Sequence, residues 1–213
     1  MTNEGRGVDH FGCLGELRRP WIDPEALRTR FLERSTELHP DRFHGAEESV
    51  RGEAGQRFSA LNEAYQVLKE PRTRLLHLIE WEAGSKPKDI QKIPPGTMDL
   101  FVEVGQLCRE VDAFLEQRRQ VVSPMLKVRL FTEGMGWVEK VKGLQGKVSA
   151  RESELNRELR TMNDVWDAAP PTGSPDRLAA LPMGRLEEVY RVMSYAGRWT
   201  GQIQERLVQL ASG

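Results

Sequence analysis

The chain has 213 residues, of which 31 are basic and 32 acidic, a balance that argues against a dedicated polyanion binder and predicts no nucleic-acid partner. Its two cysteines, Cys13 and Cys108, form no CxxC pair, so neither a zinc knuckle nor a disulfide framework is indicated; two free thiols and a reducing compartment are expected. No stretch approaches the ~20 apolar residues of a membrane span, and residues 1–9 carry Glu4 and Asp9 with no apolar core, which predicts a cytoplasmic protein with no membrane partner.

Phe11, Leu14 and Leu17 recur at threes and predict a short helix across residues 9–17, weakened by Gly12 and Gly15. Asp23 as N-cap, Pro24 at the first helical position and Glu25 in the first turn open a better-marked helix that runs to Leu38. Leu27, Phe31 and Leu38 form its expected buried face, while Arg30 and Arg34, one turn apart, direct two guanidiniums toward another side near the helix end. The helix must stop at His39-Pro40-Asp41, because Pro40 lacks an N–H and biases His39 out of the helical region. An imidazole and a carboxylate then flank a rigid residue on a loop, where binding groups are commonly displayed.

Residues 46–53 read as loop passing into a helix start, and Phe58, Leu61, Ala64, Tyr65 and Leu68 mark a helix that ends before Pro71. Leu75, Leu76, Leu78, Ile79 and Trp81 close the unit with a short helix. Residues 84–97 hold three prolines, two glycines and three lysines and predict an extended connector. The expected division is therefore a first domain over 1–83, a linker over 84–97 and a second domain over 98–213.

In the second domain, Phe101, Val104, Val111, Phe114 and Leu115 predict a helix over 98–119 with Phe101, Val104, Val111 and Leu115 in the core. Ser123-Pro124 opens another, extending toward Ala169; Gly134, Gly136, Gly143 and Gly146 each cost helix propensity and leave its continuity open. A Pro-rich run at 170–175 ends it, and a last apolar stripe from Leu186 to Leu210 completes an antiparallel three-helix bundle. No pattern of period two competes, so the fold class is all-α.

His39, Asp41 and His44 could also be read as a metal site of a small helical hydrolase. Their spacing is not a recognised ligand pattern, and no nucleophile with a base or glycine-rich phosphate loop accompanies them. We therefore expect no metal, no cofactor and no catalysis within this chain.

The sequence from Phe31 through His39-Pro40-Asp41-Arg42-Phe43 to LNEAYQVLKEP at residues 61–71 resembles a J domain. The resemblance covers roughly the first 80 residues, and all three signature residues match. It implies a helical hairpin whose His-Pro-Asp loop and preceding helix bind a DnaK/HscA-type chaperone of the heat-shock protein 70 family and stimulate its ATPase, through His39, Pro40 and Asp41 with Arg30, Arg34 and Arg42. The J domain followed by a Pro-containing connector and a helical bundle is similar to HscB-type co-chaperones of iron–sulfur cluster assembly, as are the Asp23-Pro24-Glu25-Ala26-Leu27 helix start and Arg42-Phe43. That resemblance implies an iron–sulfur scaffold protein as client, met by the first bundle helix at Val102, Glu103, Gln106, Leu107 and Glu110. The chain departs from the pattern at Leu38, where the family has Tyr, at Gly105 and Cys108, and at Arg109, which reverses a charge. It also lacks the CxxC extension of some relatives.

Overall fold

The computed structural model describes residues 7–43, 45–87, 93–94 and 96–212. Residues 88–92 and 95 of the expected linker lie outside that range, as does His44 of the metal alternative. Every regular element among the described residues is helical. They are α1 (His10–Leu14), α2 (Pro24–Leu38), a 3-10 turn (Pro40–Phe43), α3 (Glu48–Lys69), α4 (Pro71–Ala83), α5 (Met98–Gln120), α6 (Pro124–Ala168), α7 (Arg177–Ala180) and α8 (Met183–Ala211).

Local chemistry accounts for most boundaries. The Asp9 carboxylate accepts from the Gly12 N–H and starts α1, and Gly15 at φ 68° ends it. The helix is therefore shorter than the expected 9–17, and Leu17, predicted to pack, is exposed. Asp23 caps α2 by accepting from the N–H groups of Glu25 and Ala26. Leu27 alone of its predicted stripe is fully buried; Phe31 is half-buried and stacks on Tyr65 at 4.2 Å. Within residues 46–53, expected to pass from loop into a helix start, α3 begins at Glu48 and carries Gly52 and Gly55 within its opening turns, where the Glu48 carboxylate favours the positive end of the helix.

Between α3 and α4, Glu70 is extended before Pro71, so no left-handed residue caps the last carbonyls of α3. Side chains from α4 do so instead: Thr73 Oγ1 donates to Val67 O at 2.6 Å and Arg74 Nη1 to Leu68 O at 2.7 Å.

The chain packs as two compact units, Met1–Asp89 with Asn156–Tyr190, and Ile90–Leu155 with Arg191–Gly213. This differs from the sequence division at 84–97, because residues 156–190 pack with the N-terminal segment and not with the remainder of 98–213. Two polar contacts give the reason. The Asn163 amide accepts from Trp21 N at 3.0 Å and donates to Trp21 O at 2.9 Å, and Arg177 forms a forked pair with Glu82 at 2.7 and 2.8 Å.

In the first unit, α1 and α2 pack on α3, and α3 packs on α4. Phe11, Leu14, Leu27, Leu61, Leu68, Leu75, Leu78 and Ile79 are fully buried. His77 lies at the edge of this core, its ring stacked on Phe11 at 5.6 Å and its Nε2 accepting the His10 backbone N–H at 3.3 Å. Burial, reinforced by the neighbouring His10, pulls the His77 imidazole down to about 4, and burial lowers His10 as well. A depressed imidazole binds fewer protons folded than unfolded, so its contribution to stability is present above pH 6.5 and is lost as pH falls toward 4. For a half-buried ring the expected loss is about 1–2 kcal/mol after discounting for solvent. Urea midpoints of wild type and His77→Gln, measured at pH 7.5 and 4, should show the wild type losing more by that margin.

In the second unit α5, residues 124–155 of α6 and residues 191–211 of α8 surround a core of Val104, Val111, Phe114, Val141, Leu144, Val148, Trp199 and Ile203. Phe101, expected in that core, is exposed at its edge and meets Tyr195 and Trp199 obliquely at 6.1 and 6.4 Å. The continuity of α6, left open by its glycines, is resolved here: the helix runs through all four of them. Gly134 faces the core, where a Cβ would stand 3.6 Å from the Phe114 ring in ordinary van der Waals contact, so the fit tolerates glycine without requiring it.

Candidate functional site

The loop that Pro40 forces is one turn of 3-10 helix directly after α2. His39 is its entry residue, with φ −59° and ψ 129°, the extended conformation a residue before proline adopts. The His39 side chain is 50% exposed and that of Asp41 89% exposed. The His39 ring leans edge-on against Phe58 of α3 at 5.6 Å, which holds the imidazole from one side and leaves the other outward. Its Nδ1 lies 3.3 Å from the Asp41 backbone N–H and 3.4 Å from Asp41 Oδ2. One nitrogen cannot serve both: neutral, it accepts from the backbone; protonated, it donates to the carboxylate.

The three arginines divide. Arg42 Nη1 reaches back 3.4 Å to Thr36 O in the last turn of α2, beside the loop. Arg30 and Arg34 instead turn toward the end of α1. Arg30 Nη1 donates to Gly15 O at 3.1 Å and lies 2.7 Å from Glu16 Oε1, whose side chain is buried. Arg34 Nη1 donates to Cys13 O at 2.9 Å. The φ of 68° favours glycine at position 15; a Cβ there would also press on Arg34 Nη2, the movable end of a long side chain. The structure thus brings His39, Asp41 and Arg42 together and gives Arg30 and Arg34 intramolecular partners across the hairpin.

On α5, four of the five predicted residues share a hollow. Glu103, Gln106, Leu107 and Glu110 line a groove of about 410 Å³ whose opposite wall is Lys140, Gly143, Leu144 and Lys147 of α6. Lys147 Nζ pairs with Glu103 at 2.5 Å, and Gln106 donates to Glu110 at 3.0 Å. Val102 is exposed outside the groove. Sequence reasoning missed the α6 wall, although Lys140, Gly143 and Lys147 at spacings of three and four do share one helical face. Among the described residues no group of three His, Cys, Asp or Glu side chains could hold a metal ion, Cys13 and Cys108 are free, and no helix is long and apolar enough to cross a membrane.

The fold and loop define an all-α protein in which a helical hairpin carrying a His-Pro-Asp turn accompanies a helical bundle. No family model matches the chain. Over 72 residues it is 36% identical to the Co-chaperone protein HscB of Proteus mirabilis, a match spanning 34% of this chain and 42% of that relative; the chain thus matches less than half the length of that curated protein. Two solved structures share the fold across nearly the whole chain. The chaperone HscB from Vibrio cholerae aligns with a TM-score of 0.55 at 20% identity, covering 95% of this chain and 99% of that one. The human co-chaperone protein HscB aligns at 0.56 and 16% identity, covering 95% and 81%. The relative and both structures carry the HscB name; the relative is matched over less than half of its length, and the two structures show that this chain shares their fold.

Proposed function

We propose that this chain is a non-enzymatic co-chaperone that docks on a DnaK/HscA-type chaperone through His39, Pro40 and Asp41, stimulates its ATP hydrolysis, and presents an iron–sulfur scaffold protein held by the bundle. The observation that carries the reading is the exposed His39-Asp41 pair on a 3-10 turn enforced by Pro40. Asp41, free of any charged partner but His39 among the described contacts, is suited to accept charge-assisted hydrogen bonds from a guanidinium on the chaperone, and His39 to add a second polar contact. Pro40 lowers the ordering cost of docking. Arg42 beside the loop, with Arg30 and Arg34 on the hairpin, supplies positive charge to steer an acidic surface toward it. ATP hydrolysis belongs to the partner, and a cytoplasmic setting goes with it.

For the client, the α5–α6 groove with Glu103, Gln106, Leu107 and Glu110 supports a docking surface, with Val102 at its margin. Arg109, where the family pattern is acidic, favours a second reading in which the bundle takes a different client. One experiment addresses both arms: steady-state ATPase of the purified chaperone, titrated with wild type and His39→Gln, with and without scaffold protein. Wild type should stimulate and His39→Gln should lose at least ~10-fold of that stimulation, one lost polar contact to a charged group, about 1.5–3 kcal/mol, being worth that much. Added scaffold should lower the wild-type concentration needed for half-maximal effect, because a bridged client raises effective concentration. Undiminished stimulation by His39→Gln would defeat the loop assignment, and indifference to the scaffold would favour the other client.

A further inference from the structure

The first three turns of α6 carry two apolar faces, and the bundle covers only one. Leu130 and Gly134 face the core with Val141 and Leu144 further along. At 100° per residue, Met125, Val128, Thr132 and Met135 form a separate seam, with Phe131 on its flank. Met125 is 85% exposed, Val128 69%, Phe131 63% and Met135 54%. Thr132 folds its hydroxyl onto Val128 O at 3.3 Å, so its polar group is already satisfied within the helix. The spacing of three, four and three is that of the contact positions of a coiled coil. The bundle core does not require it, and no co-chaperone role assigned above uses it.

We propose that this seam is a homodimer interface in which α6 packs antiparallel against α6 of a second copy, about a two-fold axis near residue 130. In that register Met125 faces Met135 of the other copy and Val128 faces Thr132, so each seam residue meets another seam residue, as an isologous contact demands. The flanks agree. Arg129 of each copy comes within reach of Glu133 of the other on one side, and the two Phe131 rings approach on the opposite side. The exposed apolar surface is on the order of 500 Å² per copy, at the upper end of what monomers leave uncovered and enough, doubled, to reach the ~1,000 Å² of a weak specific interface. An anionic lipid surface fits less well, because Glu133 and Glu139 follow the cations Lys127 and Arg129 along the same short helix segment.

The test is sedimentation equilibrium of the full chain from about 1 to 200 µM, the range in which an interface of this size associates. Wild type should rise toward twice the monomer mass, and Val128→Glu and Phe131→Glu should each remain monomeric with unchanged far-ultraviolet circular dichroism, both positions being solvent-exposed. Leu178→Glu, at an exposed apolar position on α7, should dimerise like wild type. A wild type that stays monomeric to 200 µM overturns the proposal, as does a dimer that survives both α6 substitutions. A monomer that cosediments with phosphatidylserine vesicles overturns it too, and assigns the seam to a lipid surface.

Discussion

Replacing Arg177 by Ala should destabilise the first unit by about 3–5 kcal/mol, the expected cost of removing one partner of a buried ion pair. Arg177 Nε and Nη2 reach the two oxygens of Glu82 at 2.8 and 2.7 Å, and Nη1 donates to Pro170 O at 2.7 Å. The Glu82 side chain is only 4% exposed, so the substitution leaves a carboxylate without its fork and out of reach of bulk water. The hydrogen bonds to Glu82 also hold the guanidinium above its usual range, in keeping with a fork that favours the charged arginine. Urea unfolding of wild type and variant at pH 7 should show the midpoint fall without a change in slope. Arg177→Met combined with Glu82→Leu should recover much of the loss, because an apolar pair of similar volume leaves no uncompensated charge. A midpoint shift worth less than ~1 kcal/mol for Arg177→Ala would show the pair to be dispensable and residues 170–190 to be held otherwise.

Arg74→Leu is expected to cost about 2–4 kcal/mol, each hydrogen bond from a charged donor being worth roughly 1.5–3 kcal/mol and an abandoned carbonyl adding its desolvation. Arg74 is 3% exposed and joins two places distant in sequence: Nε donates to Pro20 O at 3.0 Å and Nη1 to Leu68 O at 2.7 Å. Burial pulls its guanidinium down to about 10, still protonated at neutral pH, so it donates as a cation. Without it the end of α3 loses one of the side-chain caps that replace a left-handed glycine there. Arg74→Lys should lie between, since a single ammonium on a flexible stem cannot reproduce two divergent N–H vectors. Native-state hydrogen exchange should locate the effect at the α3–α4 junction, with the amides of Arg74 and Leu75 losing protection first. An Arg74→Leu protein as stable as wild type would refute this account of how α3 is terminated.

The legible part of the fold was the part written in local chemistry. Asp23 with Pro24 marked the start of α2, Pro40 its end and Pro71 the passage from α3 to α4, because capping, a missing N–H and a fixed φ act within a few residues. The His39-Pro40-Asp41 display was readable for the same reason. Glycine was harder to interpret: its helix penalty, up to about 1 kcal/mol each, left the continuity of α6 open, yet the helix runs unbroken because packing along its length outweighs that penalty. Phe101 and Leu17 carried the right periodicity for burial and are exposed, because period specifies a face and not what covers it.

The chain by itself determined that the protein is all-α, where most helices begin and end, and that an imidazole and a carboxylate stand beside a proline between two of them. Tertiary structure decided which partners the cations take. Arg30 and Arg34 are turned to the end of α1, Arg177 meets Glu82 across 95 positions, and Asn163 reads the peptide groups of Trp21 across 142. It also added the α6 wall to the groove on α5 and grouped residues 156–190 with the first unit. The physical reason is range: a cap or a proline acts through bonds a few residues long, whereas the partner of a buried charge is selected by whatever the folded chain brings within about 3 Å, which no local pattern encodes.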